Sequence, residues 1–170
     1  MLWLFTDARR LPDPLAAAAR LPRGLGGVVL RHDGVADRAV LGRALARLCR
    51  ARGLALSVAG DWRLAAALGA GLHLRGGRRP PAAPRYLHAV TSSAHSVADL
   101  RRARRVGALA FLSPAFATAS HPGAPALGPY RWEFMVRRGG LGAAALGGID
   151  GRTVRRLPGC AGAGAIRALE

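Results

Sequence analysis

Lysine is absent from this 170-residue chain: all 26 basic residues are arginine. That excludes chemistries needing an amine at one position, namely Schiff-base aldol cleavage, pyridoxal phosphate catalysis and the Walker P-loop. Cysteine is nearly as scarce. Cys49 and Cys160 fall in a predicted helix and a predicted strand, without the spacing of a zinc site or a disulfide framework, and read as buried thiols. No apolar run approaches the roughly 18 to 20 consecutive residues of a membrane span. The opening MLWLFTDARR has no basic segment ahead of its apolar one, so it does not read as a signal peptide. The expectation is a cytoplasmic protein with no membrane partner, folded as one domain over residues 1–170. That length suffices to bury roughly two thirds of the surface of the unfolded chain.

Acidic residues are also few, 9 against 26 basic ones, which leaves a net charge of +17. Such a charge prompts a search for nucleic acid. The arginines argue otherwise. On the helix expected near 36–52, Arg43, Arg47 and Arg50 share one face while Leu41, Ala44, Leu45 and Leu48 share the other. The densest run, Arg101-Arg102-Ala103-Arg104-Arg105, lies in a helical stretch whose Val97 and Leu100 face inwards. No aromatic stacking residues interleave with these arginines. They read as solvated helix faces rather than a nucleic-acid surface.

What is present is an alternation. Strand-like runs occur at Leu2–Thr6, Gly27–Arg31, Leu54–Val58, Gly71–Leu74, Tyr86–Thr91, Ala108–Leu112, Gly142–Leu146 and Cys160–Ala165. Helical patterns fall between most of them, at Pro14–Leu21, Ala36–Arg52, Asp61–Leu68, Ser96–Val106, Tyr130–Arg138 and Gly151–Leu157. Strands separated by helices imply right-handed crossovers and a parallel sheet. Eight strands imply closure, hence an α/β fold of the compact (β/α)8 TIM barrel type, with an open flavodoxin-like sheet as the competing layout. GGRRPPAAPR at 76–85 leaves room only for a shortened fourth helix, and the chain ending at Glu170 only for a truncated C-terminal one.

In such a barrel the functional groups belong to the loops that follow the strands. These loops are rich in Gly, Ser, Thr, His and Arg and poor in carboxylates, which suits anion binding better than proton abstraction by Asp or Glu. Two Gly-rich turns, Leu146-Gly147-Gly148-Ile149 and Gly162-Ala163-Gly164-Ala165-Ile166, close the last two strands. Glycine lets backbone N–H groups approach an oxyanion, and a helix start after the eighth strand adds its positive dipole end. The pair reads as a phosphate cradle; tight turns and close packing are the plainer use of the same glycines. His95 and His121 are candidate proton carriers because imidazole titrates near neutral pH. His73, between apolar neighbours, reads as a hydrogen-bonded core or rim residue. Asp61 reads as a helix N-cap.

Several strings taken together resemble the thiamine-phosphate synthase/TenI family of small TIM barrels. They are Leu4-Phe5-Thr6-Asp7, Leu30-Arg31, Asp61-Trp62-Arg63-Leu64-Ala65, Gly71-Leu72-His73-Leu74, Ser93-Ala94-His95-Ser96, the segment from Leu112 to His121, and Leu146-Gly147-Gly148-Ile149. The resemblance implies a transferase of thiamine biosynthesis that joins a hydroxymethylpyrimidine pyrophosphate to a thiazole phosphate and releases pyrophosphate. Its partners are then small phosphorylated heterocycles, with a homo-oligomer left open. Arg31 falls on the family's Gln-x-Arg-Glu-Lys motif, Ser93 on its pyrophosphate-loop serine, and Thr118 and Ser120 on the two threonines of its Pro-Thr-x-Thr-Lys loop. Gly147, Gly148, Gly164, Ala165, Ile166 and Arg167 lie where the thiazole phosphate would sit.

The family implies Mg²⁺, yet the usual ligands are replaced. Its Asn-Asp pair falls on Ala59-Gly60, and its second metal-binding Asp falls near Arg78. No metal residue is therefore assigned. Val29 replaces the motif's Gln, Asp33 its Lys, and His121 the Lys of the later loop. The TenI branch, a thiazole tautomerase that needs no metal, places its acid/base His where this chain has Pro114. Three readings follow: a divergent synthase, a TenI-like tautomerase or non-catalytic phosphate-binding barrel, and a basic barrel that binds nucleic acid or protein.

Overall fold

The computed structural model describes residues 1–118, 123, 125–140 and 142–166. Among these residues eight strands run in chain order: β1 (Leu2–Phe5), β2 (Gly26–Leu30), β3 (Ala55–Ala59), β4 (Gly71–Arg75), β5 (Ala89–Ala94), β6 (Leu109–Leu112), β7 (Ala144–Leu146) and β8 (Gly162–Ala165). Each pairs in parallel with the next, and β1 pairs with β8 through Trp3↔Gly164, so the sheet closes into a barrel. Among the described residues five α-helices decorate it: α1 (Pro14–Ala19), α2 (Arg38–Arg52), α3 (Trp62–Leu68), α4 (Val97–Arg105) and α5 (Gly128–Gly139).

The helices form where the sequence supplies both a stripe and a stop. In α2 the buried residues Gly42, Leu45, Ala46 and Cys49 recur at helical spacing, while Arg43, Arg47 and Arg50 stay exposed. Gly53 ends the helix in the left-handed region at φ 65°. Asp61 caps α3 by accepting the Leu64 N–H at 2.9 Å, and Ser96 caps α4 by accepting the Asp99 N–H at 3.1 Å. Cys49 is a free thiol that burial pushes up to about 11, and Cys160 is free and half-buried.

Two layers of apolar packing result. Outward-facing strand residues such as Leu4, Val28, Leu30, Val58, Leu72 and Leu74 pack with the helices. Inside the barrel, Trp3, Phe5, Val29, Phe111 and Ala144 form a separate core. Phe5 meets Phe111 edge-to-face at 4.8 Å and His73 at 5.6 Å, geometries that aromatic quadrupoles favour. These rings need room. A Cβ at Gly164 would lie 2.7 Å from the Phe5 ring, so the glycine of β8 lets the aromatic layer fill the barrel.

Three expectations are corrected. The fifth strand begins at Ala89 rather than Tyr86 and runs on to Ala94. Turns hold the chain through Leu87, whose N–H donates to the Pro84 carbonyl at 3.1 Å, and Thr91, Ser92 and Ser93 are strand residues because their hydroxyls bond within the fold. No helix forms between β4 and β5, where proline-rich turns carry the chain. The helix expected over Gly151–Leu157 is a turn followed by a 3₁₀ turn at Val154–Arg156, because Asp150 and Thr153 bond locally to the backbone and to each other. The truncated C-terminal helix falls at 167–170, outside the described residues.

Candidate functional site

Parallel closure gathers the carboxyl ends of all the strands on one face, and most of the sequence-predicted groups lie there. Arg31 follows β2. Its backbone N–H donates to Thr6 Oγ1 at 2.9 Å, and its guanidinium carbon lies 6.0 Å from the Phe5 ring centroid, over the barrel's aromatic floor. Ser93 sits on β5, opposite Arg75 of β4, and its hydroxyl donates to the Leu74 carbonyl at 3.4 Å. His95 lies just beyond β5 with Nδ1 2.9 Å from the Ser113 carbonyl oxygen. A carbonyl can only accept, so Nδ1 carries the proton and the neutral ring keeps its lone pair on Nε2. Thr118 is half-buried in the loop after β6.

Gly147 and Gly148 turn the chain after β7 at φ 89° and 62°. A Cβ at Gly148 would lie 2.4 Å from the Ala117 carbonyl oxygen, so this turn is pressed against the segment after β6. Gly164 and Ala165 are buried in β8, and Ile166 follows half-buried at its end. Ser120, His121 and Arg167 lie outside the described residues. The structure thus brings Arg31, Ser93, His95, Thr118, Gly147, Gly148 and Ile166 to one end of the barrel, with Gly164 lower, against the aromatic rings.

A buried polar chain lies beneath the mouth. Ser57 and Thr91 hydroxyls are 2.8 Å apart, and Thr91 Oγ1 is 2.8 Å from His73 Nδ1. Burial, and after it the neighbouring Arg31 and Arg75 guanidiniums, together push the His73 imidazole down to about 3. His73 is therefore neutral at physiological pH. Beside it opens a cleft of about 240 Å³, lined by His73, Arg75, Arg78, Trp62 and the Gly60-Asp61 corner.

A comparison with protein-family models matches residues 3–169 to the model described as thiamine monophosphate synthase. The chain belongs to that family.

Two solved structures of similar fold are thiamine phosphate pyrophosphorylases. The one from Pyrococcus furiosus superposes with a TM-score of 0.73 at 20% identity, covering 97% of this chain and 84% of that one. The one from Bacteroides thetaiotaomicron gives 0.64 at 18% identity, covering 99% and 83%. A comparison with curated proteins returns no match.

Membership of the thiamine monophosphate synthase family raises the question of a metal, and the donor set at this mouth does not fit Mg²⁺. The ion prefers several oxygen ligands in octahedral array. Here Asp7 accepts the Arg9 and Arg10 N–H groups at 3.0 and 3.1 Å, and Asp61 is spent on capping α3. Asp33 pairs with Arg38 at 3.1 Å and with Arg75 at 3.7 Å. Asp150 accepts two backbone N–H groups at 2.8 Å. Among the described residues no three His, Cys, Asp or Glu side chains form a metal-binding group. Gly60, at the corner after β3, turns at φ 75°.

Two features of this family member were not assigned a role from sequence. Arg75 shares the inward face of β4 with His73, a position that strand alternation alone could have exposed. The Ser57–Thr91–His73 chain had no local signal, since its three members come from three strands.

Proposed function

We propose that this protein is a divergent thiamine-phosphate synthase. It binds hydroxymethylpyrimidine pyrophosphate and thiazole phosphate at the barrel mouth and joins them with release of pyrophosphate. The observation that carries the reading is the convergence of Arg31, Ser93, His95, Thr118 and the Gly147-Gly148 turn at one end of a closed parallel barrel. In the reaction the bond from the pyrimidine methylene carbon to the diphosphate oxygen breaks, and its electron pair leaves with pyrophosphate. The thiazole nitrogen lone pair then forms the new carbon–nitrogen bond, and no proton changes hands. What the protein must supply is orientation and positive charge for the departing diphosphate. Arg31 and Ser93 are assigned to that group, and Thr118, Gly147, Gly148 and Ile166 to the thiazole phosphate.

A second reading is favoured by one observation: among the described residues every carboxylate of the mouth is already engaged by arginine or backbone N–H groups. It makes the protein a tautomerase-like or non-catalytic barrel that holds the same phosphorylated ligands, with His95 Nε2 as the available base. Purified protein incubated with both substrates, once with Mg²⁺ and once with EDTA, separates the two. Thiamine phosphate formation that drops about tenfold or more in Arg31→Gln supports the synthase. Tight thiamine phosphate binding without product under either condition overturns it in favour of the second reading.

A further inference from the structure

The turn between β4 and the proline-rich segment reads Arg75-Gly76-Gly77-Arg78. Both glycines have positive φ, 57° and 71°, and the Arg78 N–H donates to the Arg75 carbonyl at 3.1 Å, the pattern of a type I′ turn. Arg75 and Arg78 form an antiparallel bridge, so they stand opposite each other with side chains on one face. Like charges placed directly opposite are unfavourable, and this pair is held rather than relaxed. Arg102 Nε donates to the Gly76 carbonyl at 2.7 Å, the Gly77 N–H donates to Ser92 Oγ at 2.8 Å, and a Cβ at Gly77 would lie 2.5 Å from the Ala103 nitrogen.

The guanidiniums so presented are largely uncommitted. Among the described residues the exposed Arg75 guanidinium pairs only with Asp33, at 3.7 Å, and the exposed Arg78 guanidinium has no hydrogen-bond or ion-pair partner. Both line the cleft beside His73. At about 240 Å³ the cleft is smaller than the roughly 300 Å³ at which pockets for organic ligands begin. Arg31 and Arg75 are both close enough to His73 to disfavour its protonation. A pair of guanidinium forks is the donor geometry that matches phosphate oxygens.

We propose that the Arg75-Gly76-Gly77-Arg78 turn is a metal-independent clamp for a multiply charged phosphate, the diphosphate group of the ligand, with Arg31 of the mouth as a third cation. The proposal rests on the reading of the mouth as a phosphorylated-ligand site and adds to it the residues that take over charge neutralisation where carboxylate-held Mg²⁺ does not fit. Asp33 is then a tethered competitor, an anion that Arg75 must release before the clamp engages.

Isothermal titration of the full chain in EDTA, with inorganic pyrophosphate and separately with thiamine phosphate, tests this. Pyrophosphate binds the wild type without metal. Arg75→Gln and Arg78→Gln each weaken it about tenfold, as expected for one charge-assisted contact, and Asp33→Asn tightens it. Arg43→Gln on the outer face of α2 controls for net charge and changes it less than twofold. Circular dichroism establishes that each variant is folded. Pyrophosphate affinity unchanged in the double variant Arg75→Gln/Arg78→Gln, or binding only with added Mg²⁺, overturns the clamp. If wild type binds thiamine phosphate but not pyrophosphate in EDTA, the clamp fails while the site reading stands; if it binds neither, both fail.

Discussion

At the scale of single residues, His73 shows how far burial decides chemistry. A histidine inside the barrel, hydrogen-bonded through Nδ1 and flanked by two guanidiniums, stays neutral where an ordinary one would begin to charge. Its folded value lies near 3 against an ordinary 6.5. Above that ordinary value neither state holds the proton and stability is unaffected. As pH falls below it, the unfolded chain takes up a proton that the folded chain refuses. Stability is then lost at about 1.4 kcal/mol per pH unit. His32, which burial also lowers, adds in the same direction. Urea denaturation at about pH 7.5 and pH 5.5 should show this loss in the wild type and a smaller difference in His73→Asn; an equal difference in the two proteins would refute the assignment. The sequence made His73 legible as a core residue because its neighbours are apolar. It could not reveal the Thr91 and Ser57 partners, which only strand register brings together.

At the scale of elements, legibility followed the strength of the local pattern. Helix α2 was readable from its stripe, and α3 from its cap at Asp61. The fifth strand was misplaced because a run of Thr91, Ser92 and Ser93 carries no apolar alternation, its polarity being satisfied across the barrel and by the neighbouring turn. The arginine-rich run of α4 was read as a solvated face, yet Arg102 is half-buried and bonded to Asp99 and Gly76. That bond is an element-level anchor, and the glycine packed beside it is its weak point. Gly77→Ala forces a side chain into left-handed backbone and against Arg102 and Ala103, so it should destabilise the fold by at least ~1 kcal/mol. Thermal unfolding measures this, and an unchanged midpoint would show that the turn does not dock as described.

For the whole molecule, charge is the dominant property. With 26 arginines against 9 acids, a chain of net charge +17 repels itself. Five ion pairs among the described residues offset little of that, three of them between residues three or four apart in sequence. Salt that shortens the Debye length to about 10 Å at 0.1 M should therefore stabilise the protein. Raising NaCl from about 0.01 to 0.3 M should lift the unfolding midpoint by roughly 2–4 °C for each kcal/mol of repulsion relieved; a falling midpoint would mean that attractive pairs outweigh it. No helix among the described residues is long and apolar enough to cross a membrane. The closed barrel was legible from the strand count, whereas the fourth helix was not there to be found. Where it would lie, the chain crosses from β4 to β5 on turns, and the Arg75–Arg78 turn leans instead on α4, the helix that follows the next strand. The mouth is thereby wired to a part of the wall that a regular barrel would keep independent of it, so substitutions on the outer surface of α4 can retune the charge presented to a ligand without touching the ligand's own contacts.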